Sequence, residues 1–112
     1  MMQAALRKHR RDRNKTDATI ARVQEVARFF GVLSDPTRLK IFLLLCRKKQ
    51  YCVGDVAETI GVSISNASHQ LHNLELTGLL VPHRTGRTIC YRATRTPAAR
   101  MLYESARELL RG

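Results

Sequence analysis

The sequence predicts a mainly α-helical domain carrying one small β-hairpin, and three observations predict it. Apolar residues recur at helical spacing through most of the chain, as in Ile20, Val23, Ala27 and Phe30 or Ala67, Leu71 and Leu74. Capping residues and glycines punctuate those stretches: Asp35-Pro36 and Ser63 open helices, and Gly61 and Gly78 close them. The pattern changes once, from Leu79 to Arg92, to extended apolar and β-branched residues around Thr85-Gly86, which reads as a hairpin.

At 112 residues the chain is sized for one domain with a modest core, and 44% hydrophobic residues suit a globular fold. The longest apolar run, Ile41 to Cys46, is far too short to span a membrane. The basic N-terminus has no apolar segment behind it and is not a secretory signal, so a cytoplasmic location and no membrane partner are expected. Cys46, Cys52 and Cys90 are too few for a disulfide framework, and no CxxC pair offers a self-contained zinc site.

The net charge of +11 points to a polyanionic partner, most simply nucleic acid. Residues 1–15 hold six basic side chains against Asp12 alone and read as a basic N-terminal arm, flexible or folded as an extra helical turn. The other 97 residues keep a surplus of six, so the body, 16–112, is basic without its arm.

The first helix should start near Thr16 or Asp17. Its apolar stripe is wide enough to bury against a second subunit as well as its own core. Asp35 caps the second helix, Pro36 suits its first turn, and Leu39 to Cys46 are apolar nearly all round, which predicts a central, buried helix. Arg47-Lys48-Lys49 ends it with charge that complements the dipole. Tyr51 to Ile60 reads as a short helix closed by Gly61, and the next runs from Ser63 to about Thr77. Thr96-Pro97 opens the last helix, where Met101, Leu102, Ala106, Leu109 and Leu110 line one side. The apolar faces of the first and last helices together suggest a homodimer.

The helix after Gly61 carries the functional reading. Ser65, Asn66, Ser68, His69 and Gln70 are short or planar hydrogen-bonding groups, Ser63 precedes them as N-cap, and no charge occurs before Glu75. A solvated face would more often carry Lys and Glu. A face lying against base edges needs uncharged donors and acceptors, since a carboxylate there meets phosphate repulsion. Arg84 and Arg87 flank the hairpin turn, where they could straddle a phosphate backbone. Ser63, Ser65, Asn66, Ser68, His69, Gln70, Arg84 and Arg87 are thus the expected contacts to double-stranded DNA. Two such helices about 34 Å apart would meet successive major grooves of an inverted repeat.

The order helix, helix, helix-turn-helix, hairpin, helix describes a winged helix-turn-helix. Leu33-Ser34-Asp35-Pro36-Thr37-Arg38-Leu39, Tyr51-Cys52-Val53-Gly54-Asp55-Val56-Ala57, Asn66-Ala67-Ser68-His69-Gln70-Leu71 and Gly86-Arg87-Thr88-Ile89-Cys90-Tyr91 resemble the ArsR/SmtB family of small bacterial repressors. The resemblance spans about Val26 to Tyr91. It implies a homodimeric transcriptional repressor released from its operator by a metal or metalloid ion, or by a thiol-modifying species.

The family's sensing positions are only partly kept. Members with a site on the third helix carry a Cys-Val-Cys-Asp run, and Gly54 stands where the second thiolate would be. The arm offers His9 but no cysteine. The other common site would fall on Arg95, Pro97, Glu108 and Arg111, a set that cannot bind zinc. Cys52 therefore remains as the one matching ligand, for a thiophilic metal or metalloid inducer, with Cys46 and Cys90 as its candidate helpers in metal binding or thiol oxidation. No other cofactor is implied. Cys46 also reads simply as a small buried hydrophobe. The competing reading is a winged-helix module for protein–protein or nonspecific nucleic-acid contact, with no inducer. No paired carboxylate beside a histidine, glycine-rich loop or triad supports an enzyme.

Overall fold

The computed structural model describes residues 2–47 and 50–112, with side chains from Asp17 onward. The chain forms two compact units, 1–31 and 32–112. Helix α1 spans Met2–Leu33, and the first unit holds all but its last two residues. The expected start near Thr16 or Asp17 is therefore corrected, for both lie inside the helix. Residues 2–30 contain neither glycine nor proline and are rich in Ala and Arg, so nothing in the backbone interrupts the helix. Ile20, Val23, Val26 and Phe30 stand 48–61% exposed along α1.

The second unit runs α2 (Pro36–Arg47), β1 (Tyr51–Cys52), α3 (Val53–Ile60), α4 (Ile64–Leu76), β2 (Leu80–Thr85), β3 (Thr88–Ala93) and α5 (Pro97–Arg111). Its caps are those the sequence names. The amide of Arg38 donates to Asp35 Oδ2 at 3.0 Å and that of Asn66 to Ser63 Oγ at 3.0 Å. The amide of Ala99 donates to Thr96 Oγ1 at 3.2 Å, with Pro97 in the first turn of α5. Gly61, at φ +80°, ends α3 as the amides of Gly61 and Val62 both donate to the Ala57 carbonyl. Lys48 and Lys49, expected to end α2, lie outside the described residues.

Two expectations are corrected here. Tyr51 and Cys52 form a strand rather than the first turn of a helix, because β1 pairs with β3, Tyr51 opposite Tyr91 and Cys52 opposite Cys90. The hairpin is thus part of a three-stranded antiparallel sheet in the order β1-β3-β2. Its turn also sits one residue later than expected: Thr85 faces Thr88, so the loop is Gly86-Arg87, with Gly86 at φ +63°. A two-residue turn that needs positive φ only at its first position takes glycine there. Pro82 lies on the edge strand β2, where its missing N–H breaks no ladder.

The core is formed by Ile41, Phe42 and Leu45 of α2, Val56 and Ala57 of α3, and Ala67, Leu71 and Leu74 of α4, with Leu79, Leu80, Cys90, Tyr91 and Ala99 around the sheet. The helix-turn-helix pair is anchored there by apolar side chains, each worth about 1.5–3 kcal/mol when fully buried. Thr94 fastens the root of the hairpin: its amide donates to the Leu79 carbonyl at 3.0 Å and its hydroxyl to the Gly78 carbonyl at 3.1 Å.

At Gly61 a Cβ would meet no atom within 4 Å, so the cost of Gly61→Ala is conformational alone. The variant is expected to lose about 1–2 kcal/mol, read as a lower thermal midpoint with unchanged far-ultraviolet circular dichroism.

Candidate nucleic-acid interface

Helix α4 divides into a buried line and an exposed one. Ala67, Leu71 and Leu74 lose all contact with solvent, so Ser65, His69 and His72 stand on the opposite, outermost line. Ser68 flanks that line on one side and Asn66 on the other. All of Ser63, Ser65, Asn66, Ser68 and His69 are exposed, while Gln70 is half-buried. Ile64, at the start of α4, is 65% exposed, and Leu76, at its end, 69%. A large apolar side chain at the N-terminus of such a helix suits contact with a thymine methyl group.

Gln70 is not free. Its Oε1 accepts from Arg38 Nη1 at 3.2 Å, and its Nε2 donates to Asn66 Oδ1 at 3.2 Å. Arg38 is itself fixed, since its Nε donates to the Val32 carbonyl at 2.7 Å. This chain of hydrogen bonds orients two amides on the exposed flank of α4 before any ligand arrives. Arg38 thereby joins the site as a positioning residue. Only its place beside the Asp35 cap was legible in the sequence, since its partner is 32 residues away. Farther along, the Nδ2 of Asn73 and Nε2 of His69 lie 3.5 Å apart.

Glu75, the first charge on α4, is drawn aside. Burial pushes the Tyr91 hydroxyl above its ordinary pKa, and the Glu75 carboxylate that accepts its hydrogen bond pushes it further up. That bond joins the end of α4 to the central strand and directs the carboxylate onto the protein. At the far end of the hairpin Arg84 and Arg87 are both exposed, Arg84 paired across the ladder with Ile89 and Arg87 within the turn. An uncharged helix face and a cationic hairpin tip are the parts that base edges and phosphates call for.

The family model described as "Bacterial regulatory protein, arsR family" matches residues 35–80, from the α2 cap to the start of β2. The regulator NmtR of Mycobacterium tuberculosis is 41% identical over 81 residues, covering 72% of this chain and 67% of that protein. The chain belongs to the arsR family of bacterial regulatory proteins. Within that family it is also similar to the cadmium resistance transcriptional regulatory protein CadC of Listeria innocua, at 38% identity over 66 residues. That match covers 59% of this chain and 56% of CadC, and the chain spans little more than half the length of the first curated relatives it matches. Among solved structures, the homodimeric winged helix-turn-helix DNA-binding domain of a Mycobacterium bovis protein superposes with a TM-score of 0.73 at 26% identity, covering 84% of this chain and 85% of that one.

The arsR-family chain departs from simple expectation at its cysteines. Cys52 and Cys90, facing each other across β1 and β3, are joined as a disulfide, while Cys46 is free. Cys52 thus has Cys90, not Cys46, as its neighbour. Among the described residues no group of three or more His, Cys, Asp and Glu is placed to hold a metal ion. What this arrangement brings together is a pair of sulfurs. Burial pushes the Cys46 thiol up to about 12 from an ordinary 9.0. It is therefore almost wholly un-ionised near neutrality and a poor nucleophile or ligand.

Burial thus leaves the Cys46 thiolate far rarer at pH 7 than in an unfolded chain. Iodoacetamide labelling of Cys46, followed by mass spectrometry, should be slow in the native protein and become rapid in denaturant; equal rates would contradict its burial. The stability it reflects is present below pH 9 and is lost as pH rises toward 12.

Proposed function

We propose that this protein is a homodimeric, sequence-specific transcriptional repressor that leaves an inverted-repeat operator when a thiophilic inducer acts on the Cys52 and Cys90 pair. The observation that carries the DNA reading is the exposed, charge-free face of α4, with Gln70 and Asn66 held by Arg38. Ser63, Ser65, Ser68 and His69 extend that face, and Arg84 and Arg87 supply phosphate contacts at the hairpin tip. Family membership and the names of the regulators CadC and NmtR support the same role. Pairing of subunits is supported by the homodimeric M. bovis domain and by the exposed apolar residues of α5, Met101, Leu109 and Leu110, at 70–82% exposure.

The inducer reading rests on the sulfur pair. CadC is named for cadmium resistance, which supports a soft ion among the inducers. In their reduced form Cys52 and Cys90 offer two thiolates to such an ion, with any further ligand coming from outside this pair. An organic or hydrogen peroxide reacts differently: the two thiols give up two electrons and two protons, the sulfurs join, and the O–O bond breaks to give two waters, or water and an alcohol. Either event acts on β1, which leads directly into the first helix of the helix-turn-helix. Cys46, half-buried and un-ionised, stands outside this chemistry.

A gel-shift with the DNA upstream of its own operon tests the first part. Preference over scrambled duplex should be roughly a thousandfold at moderate salt, and no preference would leave only a nonspecific binder. Ser68→Ala and Gln70→Ala should each cost about 1–3 kcal/mol and relax sequence preference. For the second part, Cd²⁺, As(III) and peroxide are titrated into the protein–DNA complex. A Cys52→Ala variant that releases DNA as readily as wild type would remove the sulfur pair from the mechanism.

A further inference from the structure

Two adjoining cavities open where the ends of α2 and β3 meet α5. The first, about 310 Å³, has buried Leu45 and Ala99 in its lining and is bordered by Arg47, Arg92, Arg95 and Arg100. The second, about 600 Å³, shares Cys46, Arg47 and Tyr103 with the first and adds Arg107 and Arg111. Among the described residues no carboxylate lines either one. Among the described residues the one ion pair is Arg111 with Glu108, at 3.5 Å, so the four arginines of the first cavity have no acidic partner. Arg107 lies over the Tyr103 ring at 5.5 Å and holds that ring in the wall between the cavities.

This concentration of guanidinium groups is separate from the DNA-facing one. Arg92 pairs with Val81 at the root of the hairpin, four residues and about 13 Å along β3 from Thr88 at the tip. Planar guanidinium forks match phosphate and carboxylate oxygens in pairs, and cavities of 300–1,000 Å³ take small-molecule ligands. We propose that the cleft between α2, the end of β3 and α5 binds a small organic polyanion, its phosphate or carboxylate groups held by Arg47, Arg92, Arg95 and Arg100 beside Tyr103. The ends of α2 and β3 lead respectively to the helix-turn-helix and to α5, so a ligand drawing them together acts on both. That this alters operator binding rests on the repressor reading above; the binding itself does not.

The test uses the purified full chain and isothermal titration at fixed ionic strength with pyrophosphate, ADP and citrate, against sulfate as the reference anion. Pyrophosphate and ADP distinguish a bare phosphate group from one carrying a ring for Tyr103, and citrate reports carboxylates. At least one probe should bind tenfold or more tightly than sulfate. Arg95→Glu combined with Arg100→Glu should abolish that preference at an unchanged thermal midpoint, while Arg84→Glu with Arg87→Glu at the hairpin tip should preserve it. No preference over sulfate, or equal loss in both double variants, overturns the site. Displacement of the probe by an unrelated DNA duplex, sparing neither variant, would make the cleft a nucleic-acid contact and also overturn it. A change of fivefold or more in operator affinity with the tightest probe supports regulation. Unchanged operator affinity overturns the regulatory part alone, and absence of operator binding counts against the repressor reading and not against the anion site.

Discussion

Burial of Ala67, Leu71 and Leu74 is the constraint from which the rest of this molecule follows. Three apolar side chains at helical spacing leave α4 one way to lie on α2 and α3, and that choice fixes what its other side presents. A rotation of α4 by one residue would put Ser68 in the core without a partner, at a cost of about 1–3 kcal/mol for an unsatisfied hydroxyl. The uncharged outer face is thus maintained by packing on the inner one. Arg38 adds the polar counterpart, since its bond to Gln70 couples the side of α4 to α2 and to the Val32 carbonyl.

The sheet performs a second task with few residues. Strand β3 lies between β1 and β2, so it links the segment that begins α3 to the hairpin that carries Arg84 and Arg87. Tyr91 reaches Glu75 of α4 from that strand, and Cys90 meets Cys52 of β1. Under the proposed function, chemistry at the sulfur pair would act on the strand that joins the candidate surface of α4 to the hairpin tip. A sensor there needs no direct contact with α4, because the strand supplies the connection.

Charge is distributed in two places along the body of the chain. Arg84 and Arg87 stand at the hairpin tip, whereas Arg47, Arg92, Arg95 and Arg100 gather at its root around an apolar floor. Exposed arginines in water repel one another only weakly, so their cost is small. Their value to a polyanion is larger, because several forks act together on one ligand. The two proposed sites thus divide this positive charge between two different anions.

The amino-acid sequence alone determined the order of the five helices and the hairpin, the caps Asp35, Ser63 and Thr96, the turn glycines and the exposed polar face of α4. Each of these depends on residues within one or two helical turns, where periodicity and local hydrogen bonding decide the outcome. Tertiary structure alone decided that Tyr51 and Cys52 pair as a strand, that Cys52 meets Cys90, that Arg38 holds Gln70 and that Glu75 turns to Tyr91. Those contacts join positions 16 to 40 residues apart, and nothing in the local pattern encodes which distant partner a side chain will meet. The start of α1 differs in kind: the helix-forming residues before Thr16 were legible, but their charge suggested an arm where backbone propensity favours a helix.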